Sequence, residues 1–312
     1  MKIGQWLKNK SHDDKKNGLF ASLEELMDMR RYMAYVNGWQ RNKTLSCQSG
    51  DIKSAFKGRG IEFEEIRSYN FGDDVRDIDW RVTARKDAPY TKVYSEEKDY
   101  EIYVWLDLSE QMLFGSKKEL KSVTAAKIAA LLGWLSLENK DRFGCLIFDG
   151  EKTKLYKPQN SRAQLMAILK DIALASKQVL TRKNFDEVAK AKSLKLLEQT
   201  VKNKATVFLL SDFSLEKDDL LKVLVMLAKK SKLYLINIFD VLEENPPKAG
   251  EYMAEYNGKR LVFDSSSRGY KRDYFSYFAK KRAELRDFAN KFDCKVIDVR
   301  TDMNIIENLK FY

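Results

Sequence analysis

From Lys98 onward, short apolar runs alternate with longer stretches in which apolar side chains recur every three or four positions. The runs Glu101 to Leu106, Phe143 to Phe148, Thr153 to Tyr156, Ala205 to Leu210, Lys232 to Phe239 and Lys295 to Val299 predict strands. Helices fit between them. Ser116 to Leu137 is apolar nearly all round and belongs at the centre of a layer. Lys217 to Lys230 carries Leu220, Leu224 and Leu227 on one side, and Tyr274 to Lys291 carries Phe275, Phe278, Leu285 and Phe288. Pro246, Pro247 and several glycines and serines mark Glu243 to Gly269 as a long excursion or hairpin. Strands and helices in alternation argue for an α/β fold: a doubly wound, mainly parallel six-strand sheet with helices on both faces.

Upstream the pattern differs. Residues 1–20 show little periodicity and read as a flexible tail. A helix opens at Ser22, whose hydroxyl can cap the chain while Glu25 reaches back; Leu23, Leu26, Met29, Met33 and Val36 follow as a stripe suited to core packing. From Cys47 to Lys98, short strand-like stretches are broken by glycine and charge, and the alternation slips phase at Ile66, as either a β-bulge or a two-sided strand would make it. The expected division is therefore a tail over 1–20, an N-terminal helix with a small β-rich segment over 21–98, and the α/β domain over 99–312.

Composition narrows the chemistry. Cys47, Cys145 and Cys294 lack metal-ligand or disulfide spacing, and the single histidine, His12, lies in the polar tail. His-dependent triads, zinc sites and imidazole bases are thereby excluded. No apolar run reaches the ~18 residues of a membrane span, and the polar start lacks a secretory core, so the expected location is the cytoplasm. A net charge of +11 attracts nucleic acid, anionic membranes or acidic proteins without choosing among them.

Two predicted strands finish in acids: Trp105-Leu106-Asp107-Leu108-Ser109 and Leu209-Leu210-Ser211-Asp212. Ligands of doubly wound sheets sit beyond the strand C-termini where the strand order reverses, between the first and fourth strands in the order 3-2-1-4-5-6. Asp107, Ser109 and Asp212 are expected to meet there. Two carboxylates with hydroxyls form a hard-oxygen site suited to Mg2+ or Mn2+. On spacing alone, plain loop and helix capping is the favoured role for both acids, and Asp149 and Asp240 also end strands.

Asp107-Leu108-Ser109-Glu110-Gln111-Met112 resembles the D-x-S-x-S motif of the metal-ion-dependent adhesion site in von Willebrand factor A domains, and Leu210-Ser211-Asp212-Phe213 resembles its later aspartate segment. The stretches from Gly58-Arg59-Gly60 to Tyr69, from Gly72-Asp73-Asp74 to Trp80, and Thr83-Ala84-Arg85 are similar to the signature of the bacterial domain-of-unknown-function family fifty-eight. That resemblance implies a von Willebrand A-like domain without established enzymatic activity. It also implies work beside MoxR-type AAA+ ATPases, and with other von Willebrand A proteins, in protein or cofactor maturation and stress response. An ion would be held by Asp107 and Ser109 directly and by Asp212 directly or through water, leaving one position for a partner's carboxylate. Gln111 stands where the motif has its second serine, and Thr181 is the candidate by position for the motif's threonine.

Three other signals compete. The acid and base block from Glu62 to Arg85 reads as ion pairs rather than a hydrolytic pair of carboxylates. Trp80, Arg81 and Arg85, with Glu110 on the larger domain, are candidate partner-binding residues, because Trp and Arg are enriched at interfaces. Lys229 to Lys232, Lys271-Arg272 and Lys280-Lys281-Arg282 read as solvated surface. An interaction module is thus favoured over a nucleic-acid binder or a metal-dependent hydrolase.

Overall fold

The computed structural model describes residues 18–33, 61–86, 88–96, 100–182, 185–213, 218–256 and 259–305. Cys47, His12 and the Gly58-Arg59-Gly60 stretch lie outside them, as do the side chains of Glu62, Glu64 and Glu65. In chain order the elements are α1 (Leu23–Asp28), β1 (Ile61–Ser68), α2 (Trp80–Lys86), β2 (Tyr90–Glu96), β3 (Glu101–Asp107), α3 (Lys121–Glu138), β4 (Arg142–Phe148), β5 (Thr153–Gln159), α4 (Arg162–Gln178), α5 (Glu187–Thr200), β6 (Thr206–Ser211), α6 (Asp218–Lys230), β7 (Lys232–Phe239), α7 (Val241–Glu244), β8 (Glu251–Tyr256), β9 (Lys259–Asp264), α8 (Arg268–Lys291) and β10 (Lys295–Arg300). They fall into two compact units, the smaller spanning Lys43–Asp99.

The larger unit is built on six strands in the order β10-β7-β6-β3-β4-β5. Every neighbouring pair is parallel except β4 with β5. Numbered within the sheet, this is 3-2-1-4-5-6 read from the far side, the expected doubly wound order, with its switch between β3 and β6. Successive strand residues point to opposite faces, and both faces are covered. Ile102, Val104 and Leu106 of β3 join Phe208 and Leu210 of β6 under α3 and α4. Tyr103 and Trp105 join Val207 and Leu209 under α5, α6 and α8. Burial on both sides is why these strands read as unbroken apolar runs.

Helix α3 runs through the middle of its layer, and an added Cβ at Gly133 would stand 2.6 Å from Leu165 Cδ1. The helix opens at Lys121 instead of Ser116. The preceding loop is tied down elsewhere: Ser116 donates its backbone N–H (2.9 Å) and hydroxyl (2.5 Å) to Asp240, and the Lys121 N–H donates to the Phe114 carbonyl. Asp240 also accepts from Leu242 N–H and Thr301 Oγ1, while Asp149 accepts from Glu151 and Lys152 N–H and pairs with Arg182. Both of these strand-end acids hold loops.

Helix α1 begins in the expected capping box, with Ser22 Oγ accepting from Glu25 N–H and Glu25 accepting from Ser22 N–H. The sequence reading grouped it with the β-rich segment, but it packs on the larger unit. Trp134 Nε1 donates to the Leu26 carbonyl (3.1 Å), and Ala21 N–H donates to Ser176 Oγ (2.9 Å). The excursion after β7 forms α7 and the antiparallel hairpin β8–β9. Cys145 is buried in the core and Cys294 partly so; both are free thiols.

The smaller unit pairs β1 with β2 antiparallel, and the register shifts between Phe63 and Glu65, so the irregularity falls just before Ile66, where the alternation slips, and takes the form of a bulge. Among the described residues, Asp73, Asp74 and Asp79 are engaged locally. Arg67 makes two 2.8 Å bonds to Asp73, Asp74 accepts from Arg76 N–H, and Asp79 caps α2 through Arg81 and Val82 N–H while facing Lys92 at 3.4 Å. Trp80 is 67% exposed, and Arg81 and Arg85 are exposed beside it on α2.

Candidate functional site

The last residue of β3 is Asp107, and Asp212 follows directly on the last residue of β6; these strands are neighbours at the switch of the sheet. Both acids are buried, Asp107 completely. A buried carboxylate needs partners. Asp107 Oδ1 accepts from the Ser109 N–H at 2.9 Å, and Oδ2 accepts from Ser211 Oγ at 2.6 Å and faces Lys190 Nζ at 2.6 Å. Asp212 Oδ2 lies 3.3 Å from Lys121 Nζ and 3.6 Å from Lys281 Nζ. Lys121 Nζ also reaches Glu243 Oε1 at 2.6 Å. The crevice thus holds three carboxylates against three ammonium groups, brought in by α3, α5 and α8.

Three of these groups, Asp212, Lys190 and Lys121, are held in their charged forms by their neighbours. Burial alone would push the Asp212 carboxyl up; Lys121, then Lys281 and Lys190, outweigh it and bring it down to about 2. For Lys190, burial works against the charged form, but Asp107 and then Asp212 more than offset it, so its pKa rises. Lys121 rises likewise, with Asp212 and Glu243 overcoming burial. A carboxylate with a depressed pKa stabilises the fold above its unfolded value and loses that contribution as pH falls. The fall of Asp212 from 3.8 to about 2 is worth roughly 2–3 kcal/mol. Denaturant midpoints should therefore decline between about pH 4 and pH 2, and Asp212→Asn, though less stable at neutral pH, should show a flatter decline in that window.

The remaining candidates divide. Ser109 Oγ donates to Gln111 Oε1 at 3.2 Å, so Gln111, at the second-serine position, is turned toward the motif's serine. Glu110 and Gln111 are half-buried on the rim, where Phe114 is 43% exposed. Thr181 lies on an exposed turn after α4 and donates its hydroxyl to the Gln178 carbonyl at 3.0 Å. The place at Asp107 Oδ2 is taken by Lys190.

As built, the residues do not fit a divalent ion. Mg2+ needs oxygens converging at ~2.1 Å, yet the nearest charged group to Asp107 is an ammonium at hydrogen-bond distance. Among the described residues, no three Asp, Glu, His or Cys side chains are grouped to hold a metal. One acceptor is left over: Asp212 Oδ1 is buried and has no hydrogen-bond partner.

Sequence reasoning missed Lys121, Lys190, Lys281, Ser211 and Glu243. A faint signal existed, because Lys121 and Lys190 stand in the first turns of α3 and α5, where the helix dipole disfavours a cation unless an acid waits nearby. The Lys280-Lys281-Arg282 run is only partly the solvated surface it was read as. Lys280 is exposed, but Lys281 turns in to Asp212, and Arg282 lies near Glu244 and the Phe239 ring.

Sheet order, two-sided helical cover and acids at the switch define a doubly wound α/β module. The chain belongs to the family described as "Protein of unknown function DUF58", whose model matches residues 65–284. It is 24% identical over 261 residues to an uncharacterised protein of Mycobacterium bovis and equally to uncharacterised proteins of two Mycobacterium tuberculosis strains, spanning 83% of this chain and 81% of each relative. Two solved structures are more distant. Conserved hypothetical protein BatB from Bacteroides thetaiotaomicron is 14% identical, with a TM-score of 0.36 over 66% of this chain and 91% of that one. An aerotolerance-related membrane protein from Bacteroides fragilis, carrying multiple mutations to serines, is 12% identical, with a TM-score of 0.38 over 67% and 94%. Among the described residues no helix is long and apolar enough to cross a membrane.

Proposed function

We propose that this protein is a non-catalytic interaction module, an adaptor for a MoxR-type AAA+ ATPase in protein maturation or stress response, which docks at the mouth of the β3–β6 crevice. The observation that carries the reading is the state of the crevice itself. Its acids sit where a ligand of this fold would bind, yet each faces a lysine across an ion pair instead of standing as an acid or base poised for proton transfer. What remains for a partner to meet is the rim, with Glu110, Gln111 and the exposed ring of Phe114. Trp80, Arg81 and Arg85 of the smaller unit offer a second contact of the aromatic and guanidinium type common at interfaces.

The test is capture of a purified MoxR-type AAA+ ATPase from the same organism by the full-length protein. Phe114→Asp should weaken binding about tenfold, equal to ~1.4 kcal/mol, without altering the melting point, and Trp80→Ala should act independently of it. Absence of wild-type binding with nucleotide present and with it omitted would remove the adaptor reading.

A further inference from the structure

We infer that Lys190 is the resident cation of the crevice: its ammonium stands where an adhesion-site ion would sit against Asp107, so the site is complete without a metal. The inference rests on side-chain geometry and does not depend on the docking reading.

Three observations converge. First, Lys190 Nζ lies 2.6 Å from Asp107 Oδ2, the same oxygen that accepts from Ser211, so the carboxylate has both a charge partner and its hydrogen bonds. Second, the Lys190 side chain is only 14% exposed and reaches a fully buried acid, a costly placement for an ammonium group unless its charge is needed there. Its helix contributes nothing to that placement, since a cation in the first turn of α5 is opposed by the helix dipole. Third, the hydroxyl and amide of the D-x-S-x-Q motif are already hydrogen-bonded to each other without an ion, Ser109 Oγ donating to Gln111 Oε1. The second serine of a metal-binding motif is not missed when the cation is covalently attached to the chain.

This arrangement also shows what shortening the lysine would restore. Asp107 Oδ2 would lose its charge partner, and Asp212 Oδ1, already buried with no hydrogen-bond partner, provides a second carboxylate oxygen at the same switch of the sheet. Ser109, Ser211 and Gln111 supply neutral oxygens near Asp107. That donor chemistry is the hard-oxygen set Mg2+ and Mn2+ prefer. Lys190→Ala should turn an ion-indifferent protein into an ion-responsive one.

The experiment is thermal unfolding of the full chain in chelator, in Mg2+ and in Mn2+, for the wild type, Lys190→Ala and Lys190→Arg, with Mn2+ binding followed by electron paramagnetic resonance. The wild-type midpoint should be the same in all three conditions, with no tight Mn2+ site. Lys190→Ala should melt lower in chelator and recover by several degrees at ion concentrations ~100-fold above Kd, since a ligand bound only by the folded state raises the midpoint; Lys190→Arg should stay indifferent. A wild-type midpoint that rises with Mg2+, or one tight Mn2+ per wild-type chain lost in Asp107→Asn, would overturn the inference. So would a Lys190→Ala variant that folds, melts like the wild type and ignores both ions. Should Lys190→Ala fail to fold, the wild-type ion measurements still decide.

Discussion

Replacing Lys121 with methionine is expected to cost about 3–5 kcal/mol, the range for breaking a buried ion pair by removing one partner. For a domain of this size that is a fall in melting temperature of roughly 6–20 °C. The Lys121 side chain is 3% exposed, and its ammonium bridges Asp212 and Glu243. Methionine fills similar volume, so little of the loss comes from packing; what remains is two acids whose common partner has gone. The double variant Lys121→Met with Asp212→Asn separates this account from a general disturbance of α3, because removing the stranded charge should return part of the loss. An additive double variant, with no recovery, would show that the ion pair is not the source. Thermal melts at two salt concentrations complete the check: a pair this deeply buried should be screened far less than a surface one.

The second large effect is expected at Trp105, on the face of β3 opposite α3. It is 1% exposed, among the largest fully buried side chains, and its Nε1 donates to Ser193 Oγ of α5 at 2.8 Å. Trp105→Ala should cost about 3–5 kcal/mol through the cavity it leaves, with a further contribution from the buried Ser193 hydroxyl losing its donor. Trp105→Phe keeps most of the volume and should cost clearly less. Equal losses in chemical denaturation would mean that the hydrogen bond, and not the packing, holds α5 to the sheet. Asp107 lies two residues further along the same strand and Lys190 on the same helix, so the alanine variant should also disturb their ion pair.

How much of this could be read from the chain follows from the physics of each part. Strands buried on both faces must be apolar throughout, so β3, β4, β6 and β7 announce themselves to within a residue or two. Their alternation with helices determines the layer order, and that order places Asp107 and Asp212 on adjacent strand ends. The start of α3 was less legible, because Gly115 to Leu120 continues toward the helix while its backbone is tied to Asp240, a contact between distant parts of the chain. The hairpin β8–β9 appeared only as an excursion rich in turn residues. The cations of the crevice were hidden for a different reason. Lys121, Lys190 and Lys281 come from three helices and converge through long, flexible side chains, and in a sequence with 57 lysines and arginines a lysine that turns inward looks like one that does not. Only tertiary geometry tells them apart.

The antiparallel strand at one end of the sheet has a consequence for self-association. An outermost strand offers a row of unpaired amides to any passing chain, and natural proteins blunt such rows with lysine and proline. Strand β5 carries Lys154 and Lys157 pointing outward and Pro158, which has no amide hydrogen to offer. Fibril-like growth or sheet fusion through this border is thereby discouraged.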